Sequence, residues 1–277
     1  MPVINTNVNS LITQNAITRN DKSLSSTMTQ LSTGKRINSA ADDAAGLAIA
    51  TKMTSQIRGL NMATRHANDA ISLIQTAEGA TEAVTGMLQR MRELAVQSAT
   101  DTYSSGDRAL MQKEFSQLRE EISRTATLTD FNGQQLLAAG SLLTFQVGAN
   151  SGDTLTYSTT NLSATIELGG TSIGDTGGAS ISIRTGAEEA ITTIDTALDG
   201  LNSERARMGA MINRLGYAAD NLTNISQNMQ AARSRIEDTE YASATRDLAR
   251  TQIIQQAGIA MLAQANQQPQ SVLSLLK

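Results

Sequence analysis

The sequence predicts a mainly α fold: an elongated antiparallel helical bundle, a coiled-coil rod contributed by both chain ends, with a small β-hairpin-bearing central insert. Three observations predict it. The only prolines, Pro2 and Pro269, stand at the extreme ends, which frees everything between them of the strongest helix breaker. Apolar residues recur at alternating spacings of four and three in both halves, which places them on one helical face. Between Phe131 and Gly186 that period gives way to short runs separated by Gly, Asn and Ser.

In chain order, Ile4, Val8 and Leu11 open a first stripe that closes with Leu24, Met28 and Leu31, and Gly34 falls where a left-handed C-cap belongs. Ser39-Ala40-Ala41-Asp42 has the Ser-x-x-Asp form of a helix start, with Asp42 and Asp43 in a first turn where the macrodipole favours anions. The stretch is therefore a joint between two helices. Gly34-Lys35 is not a phosphate loop, because the upstream Gly is replaced by Thr29 and the following Ser or Thr by Arg36.

Met53, Ile57, Leu60, Thr64, Ala67, Ile71 and Ile74 then share one face, continued more loosely by Val84, Leu88, Met91 and Ala95. A helix over about residues 40–99 would be roughly 90 Å long. A globule of this chain length has a diameter of only about 50 Å, so a rod is expected. The turn Tyr103-Ser104-Ser105-Gly106-Asp107 starts a third helix carrying Met111, Phe115, Leu118 and Ile122. Asp130-Phe131-Asn132-Gly133 is a turn signature, and residues 142–147, 154–157 and 181–183 are strand candidates on a flap. From Ile191 to Ile236 the helical alternation returns, interrupted by Arg205. Gly46, Gly59, Gly79, Gly86, Gly209 and Gly216 each cost about 1 kcal/mol against Ala inside a helix. Beside so many alanines they are read as points of close backbone approach rather than kinks.

Composition excludes several functions. With no Cys and a single His, His66, neither a disulfide framework nor the usual zinc sites are available, and no catalytic, cofactor-binding or metal residue is expected. A net charge of -4 with dispersed Arg and 3% aromatics argues against nucleic acid. No run reaches the roughly 20 apolar residues that span a bilayer, so no membrane partner is expected. The ends are unusual: residues 1–18 and 251–276 carry no charge yet are seeded with Asn and Gln around Ile4, Val8, Leu11 and around Ile253, Ala257, Met261, Leu273 and Leu276. An apolar, amide-rich surface of that kind suits burial against other protein, where amides pair and ions would be costly.

LSTGKRINSAADDAAGLAIA, Ile57-Arg58-Gly59-Leu60, Gln89-Arg90-Met91-Arg92-Glu93-Leu94-Ala95-Val96-Gln97, Phe131-Asn132-Gly133, Ala232-Arg233-Ser234-Arg235-Ile236-Glu237-Asp238, Gln255-Gln256-Ala257-Gly258 and Leu262-Ala263-Gln264-Ala265-Asn266-Gln267 stand in this order along the chain. Together they resemble bacterial flagellin, in a short form with a minimal variable region. The resemblance implies a structural, non-enzymatic subunit that self-assembles into the extracellular flagellar filament, a motility propeller. Residues 1–38 plus 237–277 would be inner paired helices, 39–140 plus 186–236 the helical rod, and 141–185 the variable insert. The resemblance further implies secretion through the flagellar export apparatus with an export chaperone and no cleaved signal peptide, and contacts with hook-filament junction and cap proteins.

Arg36, Asn38, Asp42, Asp43, Arg233, Arg235, Glu237 and Asp238 are expected at the joint between inner and outer segments. In receptor-activating flagellins a Gln-Arg-x-Arg-Glu-Leu segment is read by Toll-like receptor 5. Gln89, Arg90, Arg92, Glu93 and Leu94 match it, with Glu114 on the next helix, and the same surface is expected between protofilaments. Arg90 and Leu94, four apart, are expected to share a face. Two alternatives stand beside the filament subunit: a flagellin-like hook-filament junction protein, and a monomeric helical adaptor or chaperone.

Overall fold

The computed structural model describes residues 7–138, 140–159, 161 and 180–274. Among them are five helices, α1 (Val8–Thr33), α2 (Ala44–Ser98), α3 (Ser105–Leu128), α4 (Arg184–Glu237) and α5 (Tyr241–Ser274). Two antiparallel hairpins lie between α3 and α4: β1 (Asp130–Phe131) with β2 (Gln134–Gln135), and β3 (Leu142–Gln146) with β4 (Thr154–Ser158). This is the mainly α class with a small hairpin insert. The chain divides into two compact units, Arg58–Ser226 and Met1–Ile57 with Gln227–Lys277.

The Arg58–Ser226 unit has an ordinary apolar core. Ile74, Val84, Leu88, Met91 and Ala95 of α2, Phe115 and Ile122 of α3, and Ile194, Leu201 and Leu215 of α4 are all fully buried, as the period of their spacing requires. Two polar ties set the register of α2 against α4. Asn61 accepts a hydrogen bond from Ser226 at 2.9 Å, and Arg92 donates two to the Asp195 carboxylate at 2.6 and 3.2 Å. α3 starts in a complete capping box, in which Asp107 N–H donates to Ser104 Oγ and Ser104 N–H donates to the Asp107 carboxylate. The hydroxyl of Ser104 and then its N–H hold the Asp107 carboxyl below the usual carboxylate range.

The first hairpin turns at Asn132 and Gly133, with φ of 53° and 78°, the two positive values that a type I′ turn demands. The second is less of a flap than its composition predicts. Leu143 and Tyr157 are cross-strand partners, and both are buried in the unit's core. Tyr157 Oη donates to the buried Glu204 carboxylate at 2.6 Å, whose other oxygen accepts from Arg207, and Arg207 also reaches Ser158 O. Burial, and then the hydrogen bond and charge of Glu204, push the Tyr157 phenol up from its ordinary value.

Three expectations are corrected. Residues 181–183 form no strand: Ile181 N–H is taken by Gln112 Oε1 and Ile181 O by Ser98 Oγ, so side chains of α3 and α2 occupy the groups a ladder would use. Close backbone approach holds for Gly59 alone of the six, while the space at Gly46 is filled by the side chains of Asp43 and Ile37. A Cβ on Gly59 would lie 3.1 Å from Ala149, while nothing lies within 4 Å of one on Gly79, Gly86, Gly209 or Gly216, which sit on outward sides of their helices. α2 begins at Ala44 rather than at the Ser39–Asp42 box. Asp42 instead closes a turn back onto Asn38 and Ser39, and Asp43, which accepts from Gly46 N–H at 2.9 Å, supplies the cap.

Candidate assembly interface

Within the unit of the two chain ends, the junction is built from backbone first. Gly34 adopts φ 72° and closes α1 with its N–H on Gln30 O. The chain then pairs with the segment after α4: Arg36 N–H donates to Glu237 O at 2.7 Å and Thr239 N–H to Gly34 O at 3.0 Å, around the Lys35–Asp238 bridge. Side chains reinforce it. The Arg36 guanidinium donates to Ile236 O at 2.7 Å, covering a carbonyl that the end of α4 leaves free. Lys35 Nζ lies 2.5 Å from Glu237, with Arg233 Nε 3.9 Å from the same carboxylate and Arg233 also donating to Thr54 Oγ1 at 3.2 Å.

Asn38 donates its amide to Lys35 O at 2.8 Å, and Asp42 accepts from the N–H groups of Ser39 and Asn38. Those two backbone bonds, Ser39 first, and the Ser39 hydroxyl hold the Asp42 carboxyl below the usual carboxylate range. Arg235 occupies the last turn of α4, where the dipole favours a cation. Of the joint residues expected from sequence, Arg36, Asn38, Asp42, Asp43, Arg233, Glu237 and the backbone of Asp238 are thus brought together. Lys35 and the buried Ile37 were missed. Lys35 stands in the Gly-Lys-Arg triplet, and its partner two hundred residues away leaves no local signal.

α1 and α5 run antiparallel, and polar ties cross their seam. Asn7 Nδ2 donates to Ala265 O and Asn20 Nδ2 to Thr251 O, each at 2.8 Å, and Gln255 donates to Asp21 at 2.9 Å. Ile17 lies against Gly258, where a Cβ would come within 2.9 Å of the isoleucine. Ile17, Leu24, Leu248 and Leu262 are half-buried and Ala244 is buried, while a second apolar set faces outward: Val8 is 54% exposed, Leu11 52%, Ile253 66% and Met261 63%, and Ala257 is exposed with them. Ile4 and Leu276 lie outside the described residues, as does the side chain of Leu273.

On α2, Gln89, Arg90, Arg92 and Glu93 are exposed. Arg90 donates from Nε to Glu114 and from a terminal nitrogen to Glu93, both at 2.9 Å, so three charges of the expected patch are held together on α2 and α3. Leu94 does not share that face. It is buried between Met91 and Ala95 in the core stripe, because the 3.6-residue period carries it inward.

Among the described residues no group of three His, Cys, Asp or Glu could hold a metal ion, and no helix is long and apolar enough to cross a membrane. A helical unit with a closed core, and a terminal helix pair that leaves Val8, Leu11, Ile253 and Met261 outside, fit the class of structural subunits that assemble. Residues 4–141 match the bacterial flagellin N-terminal helical region and residues 191–276 the bacterial flagellin C-terminal helical region. The chain is 49% identical over 251 residues to a flagellin of Halalkalibacterium halodurans, covering 90% of each chain. It is 41% identical over 286 residues to a flagellar filament 33 kDa core protein of Treponema phagedenis, covering 99% of this chain and 100% of that one. The solved Bacillus cereus flagellin superposes with a TM-score of 0.51 at 34% identity, over 61% of this chain and 94% of that one. The chain belongs to the bacterial flagellin family, a family of structural proteins.

Proposed function

We propose that the chain is the subunit of a bacterial flagellar filament, self-assembling into the helical extracellular polymer that drives motility. The observation that carries this reading is the apolar set Val8, Leu11, Ile253 and Met261 left outside a terminal pair whose seam is tied by amides. Apolar surface left in water costs about 25 cal/mol per Å², and heterologous contacts that repeat without closing would bury it and build a filament. Ile253→Asp tests it. The monomer's thermal midpoint should be unchanged, since an exposed substitution costs within about 0.5 kcal/mol, while growth from filament seeds, followed by electron microscopy, should stop. Normal elongation would overturn the reading.

Residues 1–38 plus 237–277 are the inner pair in this proposal, 39–140 plus 186–236 the outer helical segments, and 141–185 the variable insert. Arg36, Asn38, Asp42, Asp43, Arg233, Arg235, Glu237 and Asp238 hold the junction. Family membership supports export through the flagellar apparatus with a chaperone and without a cleaved signal, and contacts with junction and cap proteins. The alternative of a junction protein is not favoured, because relatives matched over 90% or more of this chain are a flagellin and a filament core protein. Gln89, Arg90, Arg92, Glu93 and Glu114, with Leu94 packed beneath them, form a protofilament contact that Toll-like receptor 5 reads in the free monomer. Arg90→Ala should lower receptor signalling by monomer roughly thirtyfold, the loss expected of an interface hot spot; overlapping dose-response curves would reject the site.

A further inference from the structure

The chain has no cysteine, so its methionine thioethers are the only sulfur open to oxidation. Their exposure is uneven. Met91, Met208 and Met211 are core residues at 0%, 2% and 6% exposure, whereas Met28 and Met261 are 56% and 63% exposed. Both of these lie on the terminal helix pair. Met28 lines a groove with Asp21, Leu24, Thr29 and Gln255, and Met261 lines another with Asn9, Ile12 and Thr13. Each groove draws on residues of both α1 and α5, on the surface that assembly would bury. Among the described residues one further methionine is exposed, Met62, and it belongs to the other unit.

We infer that Met28 and Met261 are oxidation sites at which peroxide converts the free subunit into a form that cannot elongate a filament. This rests on the assembly reading above. In the step, a sulfur lone pair attacks one peroxide oxygen, the O–O bond breaks and the S–O bond forms. The other oxygen takes the remaining proton and leaves as water, so sulfur is oxidised by two electrons and the peroxide reduced by two. The product is a sulfoxide, a polar group with a strong acceptor oxygen in place of a flexible apolar one. On a free subunit it stays solvated and leaves the fold intact. At a contact shaped around the thioether it must give up that water and fit an added oxygen into the packed groove, which opposes association. Once assembled, the same thioethers are shielded, so susceptibility belongs to the free state.

The test treats full-length monomer with hydrogen peroxide, maps sulfoxides by peptide mass, and measures elongation from untreated filament seeds. Met28 and Met261 should oxidise well ahead of Met91, Met208 and Met211, and elongation should fall roughly tenfold for each buried sulfoxide. Treated Met28→Leu/Met261→Leu monomer should elongate as its untreated form does. Methionine sulfoxide reductases acting on treated wild-type monomer should restore growth, an arm that holds even if the double variant assembles poorly. Filaments treated after assembly should keep both thioethers. Equal oxidation rates across all five methionines, or undiminished elongation by monomer carrying both sulfoxides, would overturn the inference. Failure of untreated monomer to elongate seeds would instead overturn the filament reading, while the oxidation rates still decide where the thioethers are exposed.

Discussion

Leu88, Met91 and Ile194 in the Arg58–Ser226 unit are fully buried, while Val8, Leu11, Ile253 and Met261 in the unit of the chain ends stay more than half exposed. Polar groups are buried in the first unit too, at Glu204 and Ser226, but the ties between its helices are placed differently. In the first case Arg92 and Asp195 tie the helices from the exposed edge of the core, and in the second Asn7 and Asn20 lie in the seam itself. The same four-and-three spacing of apolar residues therefore has two meanings. In one unit it marks what the chain buries on its own, and in the other what it withholds for a partner. A unit that closes its own core can fold alone, whereas a single thin seam between two helices offers less to offset their ordering entropy until something covers the outside.

The largest expected effect separates the two units outright. Deleting residues 1–33 together with 250–277 should leave a helical, cooperatively melting protein by circular dichroism that forms no filaments by electron microscopy. Filaments from that protein would erase the distinction. Next, Leu88→Ala should cost about 2–5 kcal/mol of unfolding free energy by denaturant titration, as core truncations do. Leu11→Ala should leave monomer stability within about 0.5 kcal/mol and slow elongation. If both mutants lose comparable monomer stability, the terminal pair has a core of its own.

A smaller effect concerns the hairpin that joins the closed core. Tyr157→Phe removes the donor to the buried Glu204 carboxylate and should cost about 1–3 kcal/mol. Because the Tyr157 phenol is raised in the folded protein, its contribution is fully present below the ordinary tyrosine range near pH 10 and fades as pH climbs through the raised value. Thermal midpoints should therefore converge for wild type and Tyr157→Phe only in strong alkali. By the same reasoning, excising residues 148–158 removes β4 and should destabilise the unit.

The smallest effect is at the junction. Asp42 is held low by Ser39 and Asn38, so its stabilisation is present above the ordinary carboxylate range and is lost as pH falls through the depressed value. Asp42→Asn should make ellipticity less sensitive to acid below about pH 4, the ordinary carboxylate range, and change little at neutrality.

Much of this was legible in the sequence wherever the cause is local. The apolar period located the helices, Asn132-Gly133 its type I′ turn, and Ser104 with Asp107 the start of α3. Asp42 and Asp43 are adjacent acids with equal local claims to the cap, and the choice between them depends on how residues 38 and 39 turn back. The direction in which Val8 or Ile253 faces, the Tyr157–Glu204 contact and the use of Ile181 by Ser98 and Gln112 all depend on partners distant in sequence. Periodicity shows that a stripe exists but not what covers it. Leu94 shows the same limit, since a motif names a residue without saying whether it touches the partner or supports one that does.

Within the Arg58–Ser226 unit, Asn61 and Arg92 on α2 meet Ser226 and Asp195 on α4, so the same thirty-one residues separate the two ties on each helix. One residue added to either helix between the ties would carry one of them forward by about 1.5 Å and around by about 100°. It could not reach its mate unless the opposite helix lengthened to match. Change of length in such a chain is therefore confined to where no helix is tied to another. A connection outside the tied spans, such as residues 147–153 between β3 and β4, can instead grow a new surface while the two helices keep their register.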